Sequence, residues 1–251
     1  MNIRFDGRVV VVSGAGHGIG RAIAASFADL GAIVHACDLR PEPLADTARL
    51  TGAEPRVLDL TDRAAATAWI RDVEQATGQA VFALVNNAGG VAGQVMQPLE
   101  DVSDEAWDSV FAVNVGAAMG LARAVAPGMK RAGRGRIVNI SSGAGLQASL
   151  TGIQAYCAAK HAVVGLTRQL AHEFGPYGIT VNSVAPGFIR SNPSTEVQWD
   201  SYGAAGQAAL IDRIALKRLG TAQDIANGVL FFASDLGSFV SGQILQVDGG
   251  K

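Results

Sequence analysis

The 251-residue chain reads as a single α/β domain, a Rossmann-type doubly wound parallel sheet of about seven strands with helices on both faces. Three observations carry that reading. Apolar β-branched runs alternate with amphipathic helical patterns along the whole chain, as β-α-β units require. The first such run passes directly into a cluster of glycines and then a helix, the arrangement that receives a phosphate at a helix N-terminus. The length and a hydrophobic share of 49% suffice for one substantial core, and no second domain is expected.

In chain order, Arg8 to Ser13 contains Val9, Val10, Val11 and Val12, too continuously β-branched for a half-exposed strand. It runs into Gly14-Ala15-Gly16-His17-Gly18-Ile19-Gly20 and a helix carrying Ile23, Phe27 and Leu30. Gly31 ends that helix, and Ile33 to Asp38 forms the second strand. The common G-x-G-x-x-G fingerprint fails because position 19 is isoleucine; the spacing present is G-x-x-x-G-x-G, on Gly14, Gly18 and Gly20. Asp38 closes the second strand at the distance where an acidic side chain meets an adenosine ribose. A carboxylate there accepts from the ribose hydroxyls and repels a 2′-phosphate, so NAD is expected over NADP. Arg40 and His17 are the residues able to soften that preference.

A third strand around Arg56 to Leu58 leads into Asp59-Leu60-Thr61-Asp62 and a helix with Ala65, Trp69, Ile70 and Val73. A fourth, Val81 to Val85, ends in Asn86-Asn87-Ala88-Gly89-Gly90, small residues beside the first glycine turn. A long helix with Trp107, Phe111, Val115 and Leu121 then carries Asn114, a lone amide in an apolar stretch. Gly135 to Ile140 delivers Ser141 and Ser142 at a strand's carboxyl end, the ligand side of such a sheet. After a loop from Gly143 to Gln154, a helix runs from Tyr156 through Val163, Leu166, Leu170 and Phe174. Thr180 to Val184 is the sixth strand, ended by Ala185-Pro186-Gly187. Residues 188 to about 205 lack clean periodicity and read as a mobile lid that extends to about 215. A helix from Ala222 to Ala233 and a strand from Gln243 to Val247 complete the domain.

The chemistry centres on Tyr156 and Lys160. Four residues apart on a helix they share a face, and a protonated amine there favours the ionised phenol. The Ser142 hydroxyl adds a hydrogen bond to a substrate oxygen that gains or loses a proton. Such a set suits moving a proton on and off an alcohol.

Taken together, the glycine turn from Ser13 to Gly20, Asp38, Asp59, Asn86-Asn87-Ala88-Gly89, Asn114, Ser142, Tyr156, Lys160, Asn182, Pro186-Gly187 and Val247-Asp248-Gly249-Gly250 resemble the short-chain dehydrogenase/reductase family over essentially the whole chain. The resemblance implies a catalytic tetrad. In it Tyr156 is acid or base, Lys160 binds the nicotinamide ribose and lowers the tyrosine pKa, Ser142 orients the substrate oxygen, and Asn114 holds a proton-relay water. Ser141 is the neighbouring candidate for the serine, and the family's motif position selects Ser142. Further cofactor positions implied are Gly14, His17, Gly18, Ile19 and Gly20 in the turn, Asp59 and Leu60 near the adenine, and Asn87, Ala88 and Gly89 beside the cofactor. Pro186 and Gly187 follow, with Ile189 and Ser191 near the carboxamide.

For the substrate, Gln94, Gln147, Gln154, Arg190, Asn192 and Trp199 form a polar set that suits a sugar, polyol or sugar acid. The alternative within the family is a 3-oxoacyl thioester reductase; one of another class is a nucleotide-sensing protein without turnover. No metal is expected. A net charge of −2 without a basic run points away from nucleic acid. No apolar run reads as a membrane span, and Met1 to Gly7 does not read as a secretion signal, so a cytoplasmic setting is expected. Cys37 and Cys157 are too few for a disulfide framework. The resemblance also implies a homotetramer, packed through the helices of Trp107 and Tyr156 and through the C-terminal strand.

Overall fold

The computed structural model describes residues 3–251; Met1 and Asn2, where the reading of the N-terminus begins, lie outside them. In chain order the elements are β1 (Val9–Ser13), α1 (Gly18–Asp29), β2 (Ile33–Asp38), α2 (Pro41–Thr51), β3 (Glu54–Val57), α3 (Arg63–Thr77), β4 (Ala83–Asn86), α4 (Asp104–Phe111), α5 (Ala117–Ala132), β5 (Gly135–Ile140), α6 (Gln154–Phe174), β6 (Ile179–Pro186), α7 (Pro193–Ser201), α8 (Gly203–Asp212), α9 (Ala222–Ala233) and β7 (Ile244–Val247). The seven strands form one parallel sheet in the order β3-β2-β1-β4-β5-β6-β7. The order reverses between β1 and β4, which opens a crevice above their carboxyl ends.

The valine run of β1 is explained by burial on both faces. Val10 and Val12 enter a core with Ile23 and Phe27 of α1 and Ile225, Val229 and Phe232 of α9. Val9 and Val11 point the other way, toward Trp69 and Ile70 of α3, Leu121 and Val125 of α5, and Phe174 of α6. Successive strand residues face opposite sides, so a strand between two helical layers is apolar throughout.

Four sequence expectations are corrected. The third strand starts earlier, at Glu54, and is an exposed edge strand whose Pro55 is tolerated because no strand pairs beyond it. The long helix is divided by a π-helical turn, Ala112–Gly116, between α4 and α5. The run Asp104–Ala132 is also apolar and long enough, by composition, to cross a membrane, although no such run was expected. Its apolarity comes from small residues, Ala117, Ala118, Gly120 and Ala122, buried with Leu121 and Met129 inside the fold.

Residues 193–212 are the fourth correction, since two helices stand where an irregular segment was read. Trp199 and Leu210 are the buried residues of α7 and α8 respectively, so neither helix carries an amphipathic stripe. What builds α7 is its start. Asn192 Oδ1 accepts from the Thr195 N–H at 3.0 Å and Thr195 Oγ1 accepts from the Asn192 N–H at 3.1 Å, with Pro193 in the first turn.

Candidate active site

The glycine turn sits at the switch point. Gly14 and Gly18 adopt positive φ, +64° and +56°, where side chains are strained. A Cβ on Gly20 would overlap the Gly14 carbonyl, so α1 can approach the turn this closely only with glycine there. Ser13 Oγ accepts from the N–H groups of Asn87 and Ala88, both at 3.1 Å, and ties the turn to the end of β4.

Three consecutive carbonyls of the turn are each held by a different element. Gly14 O accepts from Asn87 Nδ2 at 2.9 Å. Ala15 O is the nearest acceptor for the Thr47 hydroxyl, at 2.8 Å. Gly16 O accepts from Arg21 Nη2. The Gly16 N–H is taken by Asp38 Oδ2 at 2.9 Å, while Asp38 Oδ1 accepts from the Arg40 N–H at 3.0 Å. At the start of α1, His17 provides no side-chain cap and no acidic residue stands in the first turn. Burial holds the His17 imidazole below its ordinary pKa, and the Arg40 cation adds to that effect. A loop whose carbonyls face protein donors and whose following amides are uncapped fits a pyrophosphate.

Across the crevice, four side chains converge from three elements: Asn114 from the π-turn, Ser142 from the end of β5, and Tyr156 and Lys160 from α6. Asn114 lies in the π-turn, where an extra residue per turn breaks the regular helical bonding. Its Oδ1 accepts from the Gly90 N–H at 3.1 Å, and its Nδ2 donates to Gly90 O at 2.7 Å and Val110 O at 2.8 Å. The loop after β4 is thereby clasped to α4. Lys160 is buried and donates from Nζ to Ile140 O at 3.0 Å, the end of β5. A Cβ on Gly89 would lie 3.4 Å from that Nζ, so the loop after β4 also borders the lysine. Bonded to one carbonyl among the described residues, the amine is pushed down from 10.5 to about 8 by burial. Its Nζ stands 5.7 Å from the centre of the Tyr156 ring. Burial raises the Tyr156 phenol, and the Ser142 hydroxyl pulls the other way.

The two serines separate clearly. Ser141 is buried, donating to Val184 O at 3.2 Å and accepting from Ser183 Oγ at 2.8 Å. Ser142 is half-buried, with Oγ accepting from the Ala144 N–H at 3.1 Å, and it is the serine that reaches Tyr156. A polar chain behind the site joins the same elements. Asn86 donates to Asn139 Oδ1 at 2.9 Å, and Asn139 donates to Thr167 Oγ1 at 2.9 Å, linking β4, β5 and α6.

The other residues expected to meet the cofactor lie around the crevice. Asp59 is exposed, its Oδ1 accepting from the Thr61 N–H and hydroxyl at 2.9 and 2.8 Å, while Leu60 is buried in the second core. Pro186 ends β6, and the Gly187 N–H donates to Val247 O at 3.1 Å. The Ile189 side chain is buried in the first core, leaving its backbone on the rim. Ser191 lies against Gly18, where a Cβ would come within 3.1 Å of its Oγ, so the chain after β6 reaches the glycine turn.

The polar substrate set is largely engaged in building the structure. Asn192 caps α7. Arg190 is exposed, paired with Glu196, and stacked 5.2 Å over Trp199. Trp199 is itself buried against Phe188, their ring centres 6.0 Å apart. Gln154 donates to Gln97 O at 2.9 Å. Gln94 is half-buried and Gln147 exposed, and neither side chain makes a hydrogen bond among the described residues. Sequence reasoning missed Thr47 and Arg21, which act on the turn from α2 and α1, and the Asn86, Asn139 and Thr167 chain. Their partners lie far away in sequence, so no local spacing announces them.

Comparison with known proteins agrees over nearly the full length. A family described as "Enoyl-(Acyl carrier protein) reductase" matches residues 14–251. The 3-oxoacyl-[acyl-carrier-protein] reductase FabG of Pseudomonas aeruginosa is 38% identical over 250 residues, covering 98% of this chain and 97% of that protein. An uncharacterized short-chain type dehydrogenase/reductase, y4mP of Sinorhizobium fredii, is 38% identical over 259 residues and 97% of each chain. The crystal structure of a putative NAD(P)-dependent gluconate 5-dehydrogenase from Beutenbergia cavernae, with NADP bound at low occupancy, matches at TM-score 0.88 and 39% identity, covering 98% of this chain and 97% of that one.

Proposed function

The chain belongs to the short-chain dehydrogenase/reductase family of NAD(P)-linked oxidoreductases, and from that premise we propose that it interconverts a secondary alcohol and a ketone, with NAD as the preferred carrier. The observation that carries the proposal is the convergence of Asn114, Ser142 and the α6 pair Tyr156 and Lys160 beside a turn suited to a pyrophosphate. When bound, the dinucleotide supplies hydride exchange at its nicotinamide ring. The residues manage the proton and the geometry. Tyr156 donates to the carbonyl oxygen in reduction and accepts the hydroxyl proton in oxidation. Its raised pKa keeps the phenol protonated, ready for the first role. Lys160 supplies the nearby charge that favours the phenolate in the second, and holds the ribose with the N–H groups not given to Ile140 O. Ser142 orients the substrate oxygen. Asn114 fixes the Gly89-Gly90 loop and holds a relay water.

Asp38 supports NAD, since its carboxylate sits at the end of β2 bound to the turn amide. Arg40 Nε, 3.8 Å away and exposed, moderates the repulsion of a 2′-phosphate. The chain acts as one domain, with residues 188–215 as its lid. A tetramer belongs to the same proposal, supported by the fully exposed Phe239 and by Leu245 on the outermost strand β7. A monomer in sedimentation would remove that part.

For the substrate, the sugar or polyol reading now rests on Gln94 and Gln147. A second reading is favoured by Val95, Met96, Leu150 and Val197, exposed in the segments that follow β4, β5 and β6. These adjacent strands release their loops on one edge of the sheet. An apolar rim there fits a ketone or alcohol with an apolar portion, of which a 3-oxoacyl thioester is one case. The test is a nicotinamide-coupled panel of polyols, sugar acids, simple secondary alcohols and 3-hydroxyacyl thioesters, with NAD and NADP. Turnover on alcohols of either class upholds the oxidoreductase reading and chooses the substrate. Cofactor binding without turnover on any of them would instead indicate a nucleotide sensor.

A further inference from the structure

We propose that Thr47 and Arg21 set the polarity of the glycine turn and so act as positioning residues for the pyrophosphate; this rests on the reading that the turn receives a dinucleotide. Each peptide unit carries its N–H and C=O in opposite directions. A turn can present amides to an anion only while its carbonyls are held elsewhere. Gly14 O is held by Asn87, a residue already expected beside the cofactor. The next two carbonyls depend on residues outside the crevice. The Thr47 hydroxyl, fully buried on α2, has Ala15 O at 2.8 Å, with Pro43 O at 3.2 Å and Gly16 O at 3.3 Å as its more distant acceptors. Its shortest bond is thus to the turn, not to the helical carbonyl four residues back that a buried threonine ordinarily uses.

Arg21 completes the clamp. Its Nε donates to Thr47 Oγ1 at 2.9 Å, and its Nη2 donates to Gly16 O and to Pro43 O, the latter at 3.0 Å. One guanidinium therefore joins α1, the turn and the first turn of α2, which directly follows Asp38. Half-buried, it makes no ion pair among the described residues. All its side-chain bonds go to neutral oxygens, so among the described residues no carboxylate pairs with it directly beside the turn. A diphosphate at the uncapped start of α1 is the anion that this charge suits.

A purely structural clamp would affect every ligand of the adenosine half alike; a clamp that orients the turn acts on the pyrophosphate. The experiment is binding of ADP-ribose, which has the pyrophosphate, and adenosine, which lacks it. Calorimetry serves for the first and ligand-observed NMR for the second, with thermal midpoints measured alongside. Thr47→Val, which keeps the shape and removes the hydroxyl, is expected to weaken ADP-ribose about tenfold, the worth of one hydrogen bond. Adenosine should change less than about twofold, and Thr47→Ser should restore ADP-ribose. Arg21→Gln should weaken ADP-ribose by about tenfold or more, with the loss shrinking at high salt. The inference is overturned if ADP-ribose affinity is unchanged in both variants, or if both ligands weaken together as the thermal midpoint falls. Failure of the wild-type protein to bind ADP-ribose would remove the functional reading itself, and the inference with it.

Discussion

The floor of the site and its rim are held in different ways. The floor is bonded across the chain: Asn87 to Gly14, Thr47 to Ala15, Lys160 to Ile140, Asn86 to Asn139. The rim after β6 is bonded to itself, Asn192 with Thr195, Arg190 with Glu196, Gln198 with Tyr202 and Gln207 with Trp199. A self-built segment can change its surface without moving the groups beneath it. The contrast therefore assigns the transferable chemistry to the floor and the choice of substrate to the rim.

The largest expected effect is on the floor. Tyr156→Phe should lower turnover by about a thousandfold, within the range for loss of a general acid or base, while steady-state and binding measurements show cofactor affinity unchanged. Residual activity within about tenfold of wild type would break the assignment.

Lys160→Met comes next, and it should separate function from stability. The amine's folded pKa is lowered from 10.5 to about 8, so the unfolded chain binds more protons between those values. The destabilisation is complete below about pH 8 and is relieved as pH rises toward 10.5. Removing the amine should raise stability at neutral pH by roughly 3 kcal/mol at most and flatten that part of the pH profile, even as dinucleotide binding weakens. In the wild type, loss of the ammonium as pH rises through about 8 should weaken dinucleotide binding.

Asp38→Asn is a smaller change at the same floor. The amide oxygen still accepts from the Gly16 N–H while the charge is gone, so the NAD to NADP efficiency ratio should fall about tenfold, the scale of one charged hydrogen bond. An unchanged ratio would show that another residue reads the ribose. Smallest is Asn192→Ala on the rim, which removes the α7 cap at a cost of about 1 kcal/mol. Substrate KM should rise with cofactor Kd unaltered. An equal loss in cofactor binding would show that rim and floor are not separate.

This division also governs what could be read from residue order. The sheet was legible because β1 is a continuous apolar run and because the glycines follow it without interruption. Tyr156 and Lys160 were legible because their spacing alone places them on one helical face. The clamp of Thr47 and Arg21 was not, because both act on a turn formed by another segment. A π-turn at Asn114 adds one residue to a helix and leaves no mark on composition. The rim misled in another way. Its polar residues suggested a pocket, but Asn192 and Arg190 use their polarity on their own helix. Asn192 followed by Pro193, with Thr195 beyond, is a helix-start pattern that would have revealed α7 despite its lack of periodicity.

Hydride transfer to a substrate carbon, with a proton managed by Tyr156, leaves an isotopic signature. The protein would be given NADH deuterated at the transferable C4 position with a panel of ketones, and the products examined by NMR and mass spectrometry. Deuterium is expected on the new carbinol carbon, with none in solvent, and the same labelled product at a far lower rate from Tyr156→Phe. Product without the label, or label released to water, would contradict it.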